Sequence, residues 1–197
     1  VNVINTVKLI ELLIKRDVTV IFPSTNLVFN GLIPFIKPHK DQIPTCEYGS
    51  QKAEVEKRLL EKGDKKCIIR FSKVVDKNMS LINSWISDME ENKIISPFSD
   101  VSIAPIPLQF VIKVIMTVIK RRTYGIIQVS AGYELTYSDL AYLIAEYYQY
   151  NRSLINPVLS NDSIMKTKYN TMNTDQLNTE LGLITPDLEF LIESLLN

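Results

Sequence analysis

Hydrophobic positions along the first fifteen residues include 3, 4, 7, 9, 10, 13 and 14. That is a helical period with a single buried stripe. Val18 to Phe22 is a short, continuous, β-branched apolar run. A run of that kind between turn signals suits a strand covered on both faces. Ser24 to Thr45 is a polar stretch broken by Gly31, Pro34, Pro38 and Pro44, which predicts a loop. Glu47 to Lys62 predicts a second helix, with Gly63 placed to cap it. Cys67 to Phe71 and Ile126 to Val129 read as further strands. Met79 to Asn92, Pro107 to Lys120 and Thr136 to Tyr150 read as helices, the last opened by a Thr136/Asp139 capping pair. Two short helices, Thr174 to Leu181 and Asp187 to Leu196, close the chain.

Helix and short apolar strand alternate at least three times. This is the α/β pattern: a Rossmann-like parallel sheet with helices on both faces. Turn-rich sequence begins near Asp76. The expected division is 1–75 as the sheet half and 76–197 as a smaller lobe, with about 111–150 partly returning to the sheet.

Composition removes several function classes. Twenty-two basic residues balance 22 acidic ones in 197 residues, so the excess positive charge that nucleic acid or an anionic membrane attracts is missing. The longest apolar run, 103–119, contains Pro105, Pro107, Gln109 and Lys113. It falls short of the roughly 20 residues that a bilayer span takes. His39, the only histidine, sits in a Pro-rich polar loop. Histidine-rich zinc sites and Ser–His–Asp catalysis are thereby set aside, and no metal is expected. Free thiols are favoured over a Cys46–Cys67 disulfide on compartment logic.

Two places can carry chemistry. In an open parallel sheet, ligands sit beyond the carboxyl ends of the strands. Ser24, Thr25 and Asn26 leave the first strand at such an end; their alternative role is to satisfy backbone groups there. Tyr48 and Lys52 are four residues apart and share one helix face. A lysine ammonium beside a tyrosine hydroxyl favours the phenolate. Moving a tyrosine pKa from about 10 to about 7 takes roughly 4 kcal/mol, and such a group serves as a general acid or base. Nine tyrosines occur in the chain, so this spacing arises by chance and counts only in company.

The company is present. Ser24-Thr25-Asn26-Leu27-Val28-Phe29-Asn30-Gly31 precedes Tyr48-Gly49-Ser50-Gln51-Lys52. Val1-Asn2-Val3-Ile4-Asn5-Thr6 opens the first helix, and Ile69-Arg70-Phe71-Ser72-Lys73-Val74-Val75 and Gly125-Ile126-Ile127-Gln128-Val129-Ser130 follow. In this order the segments resemble the extended short-chain dehydrogenase/reductase family, in particular its dTDP-4-dehydrorhamnose reductase branch.

The resemblance implies an NAD(P)-dependent oxidoreductase acting on a nucleotide-linked keto-sugar, as a reductase or epimerase, in the cytoplasm. It implies NAD or NADP as cofactor and a homodimer through helices like 1–15 and 47–62. Tyr48 would protonate the substrate carbonyl and Lys52 would hold the nicotinamide ribose. Thr25 would hydrogen-bond the reacting oxygen, and Asn2 would position the lysine. Ser24, Arg70 and Ser72 join Tyr48 and Lys52 on the cofactor side; Thr25, Asn26 and Tyr48 face the substrate. Asn26 departs from the branch's aspartate, and Asn5 stands where the family has glycine. No G-x-G-x-x-G or G-x-x-G-x-x-G occurs, although such a loop cradles the cofactor pyrophosphate. With Val at position 1, the chain is expected to lack the dinucleotide half of the fold. The alternative is a non-catalytic regulatory subunit on the same fold, of the kind that accompanies methionine adenosyltransferase.

Overall fold

The structure is a computed structural model that describes residues 2–62, 64–161 and 167–196. Gly63, the expected helix cap, lies outside the described residues.

The sheet is built as the pattern of continuous apolar runs requires. Strands β1 (Val20–Thr25), β2 (Lys66–Phe71) and β6 (Gly125–Val129) lie parallel in the order β1-β2-β6. Val20 pairs with Lys66, and Cys67 with Gly125. Parallel neighbours need crossovers, and helices supply them. Helices α1 (Asn2–Lys15) and α2 (Glu47–Leu60) cover one face, where Ile10, Val20, Phe22, Val55, Leu59 and Ile68 form a core. Helix α4 (Leu108–Arg121) and the short helix α6 (Asp175–Thr179) cover the other face, over Cys67, Ile69, Ile127 and Val129. The fold class is therefore the expected α/β sandwich around a parallel sheet.

A second core packs α3 (Ser80–Glu90), α5 (Tyr137–Tyr148) and α7 (Leu188–Leu196) around Ile82, Trp85, Met89, Leu140, Ile144 and Leu191. Trp85 meets Tyr137 edge-on, with ring centroids 6.3 Å apart. Thr136 caps α5 with Asp139 as a reciprocal capping box, as its sequence predicts.

The structure extends two expectations. β1 begins two residues later than the apolar run and continues through Ser24 and Thr25. The hydroxyls therefore belong to the strand end itself. Four very short strands were not foreseen: β3 (Lys73–Val75) beside β5 (Pro105–Pro107), and β4 (Ser102–Ile103) beside β7 (Leu135–Thr136). They stitch the far end of β2 to the second core. Cys46 and Cys67 are both free thiols, and His39 is exposed. Among the described residues, no helix is long and apolar enough to cross a membrane.

Candidate functional site

The carboxyl end of β1 and the first turn of α2 meet at one corner. After Thr25 the chain makes a single 3₁₀ turn, Asn26–Val28. Thr25 caps it, its hydroxyl accepting the Leu27 N–H at 3.2 Å. The first turn of α2 passes directly over this backbone. A Cβ at Gly49 would overlap the Leu27 carbonyl. Only glycine allows the approach, and that approach sets Tyr48 beside the Thr25 turn. Cys46 caps α2, its sulfur accepting the Gly49 N–H at 3.4 Å.

Lys52 lies one turn further along α2. Its ammonium donates to the Pro23 carbonyl at 2.8 Å and sits 4.8 Å from the Phe22 ring centroid and 5.7 Å from that of Tyr48. Partial burial holds the Lys52 pKa below the ordinary lysine value; the Glu56 carboxylate, one turn on, opposes this. The rings also offer Lys52 their negative faces. Tyr48 is 52% exposed and stands between two hollows. A groove of about 230 Å³, lined by Val3, Thr6, Phe22, Gln51, Lys52 and Val55, lies on one side. A cleft of about 450 Å³ lies on the other, where Thr25, Asn26, Ser72, Lys73, Ser102 and Asn170 are among the lining residues.

Sequence reasoning missed how the cleft is tied to the second core. Asn26 donates from Nδ2 to Asn170 Oδ1 at 3.0 Å, and Asn170 donates to the Ser102 carbonyl at 2.8 Å. Glu134 accepts the Asn170 and Thr171 N–H groups and the Ser102 hydroxyl. Asn26 and Asn170 are 144 positions apart, and no local signal announces such a pair. Thr25 Oγ1 donates to Asn26 Oδ1 at 3.3 Å, so the hydroxyl at the cleft mouth joins this chain of amides.

The remaining candidates divide. Ser24 is buried and its hydroxyl has no hydrogen-bond partner among the described residues. A buried, unpaired hydroxyl is costly unless a ligand satisfies it. Arg70, expected on the cofactor side, is instead a structural ion. It is 2% exposed and pairs with the fully buried Glu56 at 2.6 Å. It also donates to the Pro38 carbonyl and to Gln128. Glu56 accepts from Gln42 as well. Each guanidinium nitrogen is thus engaged within the fold, because α2 and the Pro-rich loop close over β2. Ser72 is likewise occupied, donating to the Ala104 carbonyl at 2.5 Å. Asn2 begins α1, but its side chain lies outside the described residues. Among the described residues, no cluster of His, Cys, Asp and Glu side chains could hold a metal ion.

Comparison with known proteins places the fold. At 22% identity and a TM-score of 0.80, the chain is similar to dTDP-4-dehydrorhamnose reductase from Bacillus anthracis, solved in complex with NADP. That match covers 90% of this chain and 64% of that one. A dTDP-4-dehydrorhamnose reductase from Clostridium acetobutylicum matches at 20% identity and a TM-score of 0.79, over 92% of this chain and 66% of its own. The Bordetella bronchiseptica enzyme WbmG, in complex with NAD and UDP, matches at 15% identity and a TM-score of 0.82, over 96% of this chain and 63% of its own. This chain therefore spans about two thirds of the length of the structures it resembles. No curated protein sequence matches it. The family described as the RmlD substrate binding domain matches over residues 1–197. With the Ser-Thr strand end, the Tyr-Gly-x-x-Lys helix and the parallel sheet all in place, the chain belongs to the RmlD substrate binding domain family.

Proposed function

We propose that this chain carries the catalytic and substrate-binding part of an NAD(P)-dependent reductase acting on a nucleotide-linked keto-sugar. One observation carries the reading: Tyr48 stands between a groove that holds Lys52 and a cleft that holds Thr25. A group that must meet a cofactor on one side and a carbonyl on the other belongs at such a boundary. Residues 1–75 would form the catalytic half and 76–197 the substrate lobe, with about 111–150 returning partly to the sheet. The setting would be cytoplasmic. A homodimer would use α1, which exposes Ile4, Leu9 and Leu12.

The residues at the corner fit a nicotinamide dinucleotide. The unpaired Ser24 hydroxyl, the Lys52 ammonium and the Tyr48 hydroxyl would meet its nicotinamide end. When bound, the reduced nicotinamide supplies the hydride that reaches the carbonyl carbon. Tyr48 gives its hydroxyl proton to the carbonyl oxygen as that oxygen takes on negative charge. Thr25 hydrogen-bonds the same oxygen, exchanging its weak contact with Asn26 for the substrate. Lys52, fixed by the Pro23 carbonyl, orients the ribose and stabilises the tyrosinate left behind.

The test is oxidation of NADH or NADPH by the full-length protein with a nucleotide-linked 4-keto-sugar. Tyr48→Phe is expected to lower turnover by about 10² to 10⁴ while nucleotide-sugar binding survives. Near-wild-type turnover in that variant overturns the assignment. The regulatory-subunit reading is favoured by one observation: Asn26, in place of the branch's aspartate, is a neutral amide bonded to Asn170. It predicts no nicotinamide oxidation with any keto-sugar, together with stoichiometric co-purification of a partner enzyme.

A further inference from the structure

Charge in the 450 Å³ cleft is distributed unevenly. Its lining includes hydroxyls (Thr25, Thr45, Ser72, Ser102, Thr167), amides (Asn26, Asn170), tyrosines (Tyr48, Tyr137) and aliphatic side chains (Val74, Val101, Ile103). Among the described lining residues, Lys73 is the single charged side chain. It sits at the start of β3, where its backbone is fixed against Pro105 of β5, and it is partly buried. No described residue forms an ion pair or hydrogen bond with its ammonium. The carboxylate behind the cleft does not serve it. Both Glu134 oxygens are spent on Asn170, Thr171 and Ser102. Asn26 brings no negative charge either. Lys73 is thus the one charge on the described lining of the cleft, and the Glu134 carboxylate behind the wall is not ion-paired with it. A cation with no carboxylate partner is free to take an incoming anion in a charge-assisted hydrogen bond. The N-terminus of α2, with Thr45 and Cys46 on the cleft wall, adds positive potential of the same sign.

We infer that Lys73 is a specificity residue for an oxyanion on the ligand of this cleft, a phosphate or a carboxylate. This deepens the proposed function, on which it rests for the location of the substrate. The oxyanion has two sources in a nucleotide-linked sugar: the diphosphate of the nucleotide, or a carboxylate on the sugar ring.

The experiment is calorimetric titration of the full-length protein, as wild type, Lys73→Met and Lys73→Arg. The probes are dTDP-glucose, UDP-glucose, UDP-glucuronic acid, free glucuronate and free glucose. Thermal midpoints of the three proteins confirm a common fold. Lys73→Met is expected to weaken at least one anionic probe tenfold or more, Lys73→Arg to restore most of the loss, and free glucose to show no dependence on the residue. Equal weakening of all the nucleotide sugars assigns the contact to the diphosphate. Weakening confined to UDP-glucuronic acid and free glucuronate assigns it to the ring carboxylate. Unchanged affinity of Lys73→Met for every anionic probe overturns the inference. The readout is binding, so it separates from the reductase reading: Lys73-dependent binding without nicotinamide oxidation leaves this inference standing and removes that one.

Discussion

Two cations, one on helix α2 and one on the strand beneath it, are treated in opposite ways. Arg70 on β2 is almost wholly buried, and every guanidinium nitrogen finds an acceptor in Glu56, Gln128 or the Pro38 carbonyl. Lys52 on α2 is half-buried and holds one carbonyl and the faces of two rings. Arg70 is closed and pins the Pro-rich loop to the sheet. Lys52 remains open toward the groove and the tyrosine. Both sit in family motifs, and sequence alone gives them similar standing. The difference lies in their satisfaction: a charge whose bonds are complete is architecture, and one with bonds to spare is available for chemistry.

Removing the closed ion's partner should cost most. Glu56→Ala strands Arg70 in the interior and is expected to lower unfolding free energy by about 3–5 kcal/mol, read by urea denaturation. A loss below 1 kcal/mol would mean that the pair is not the anchor described.

Alkali probes the sheet itself. Burial raises the Cys67 thiol from 9.0 to about 12, whereas the thiol of the unfolded chain ionises near 9. Its contribution is complete below pH 9 and is lost as pH rises toward 12, with a ceiling of about 4 kcal/mol. Tyr133, raised by burial from 10.0 to about 12, acts in the same direction above pH 10. Cys67→Ala should flatten the fall in stability above pH 9; an unchanged slope contradicts the assignment.

The approach of α2 to the Thr25 turn is tested by Gly49→Ala. Overlap with the Leu27 carbonyl should lower stability by about 1–3 kcal/mol and shift the Tyr48 ring resonances in NMR spectra. The smallest stability effect belongs to the open cation. Lys52→Met should change unfolding free energy by less than about 1 kcal/mol, because it also removes a burial penalty.

The same distinction explains what could be read in the chain. Long periodic segments announced α1, α2, α4 and α5, and continuous apolar runs announced the sheet. Strands of two or three residues, such as Lys73–Val75, establish no period and stayed hidden. The Ser24–Thr25 and Tyr48–Lys52 corner was legible because its parts are local motifs in a fixed order. The roles of Arg70 and Ser72 were not. Their partners, Glu56 and Ala104, stand 14 and 32 positions away and meet them only through tertiary packing. Asn170 was invisible for the same reason.

The most direct test of the account pairs two readings on one variant, Lys52→Met in the full-length protein: turnover of a nucleotide-linked keto-sugar with NADPH, and unfolding free energy in urea. The account predicts turnover reduced by about 10² or more with stability unchanged within about 1 kcal/mol. Retained turnover, or a loss of activity that follows a loss of stability, would contradict it.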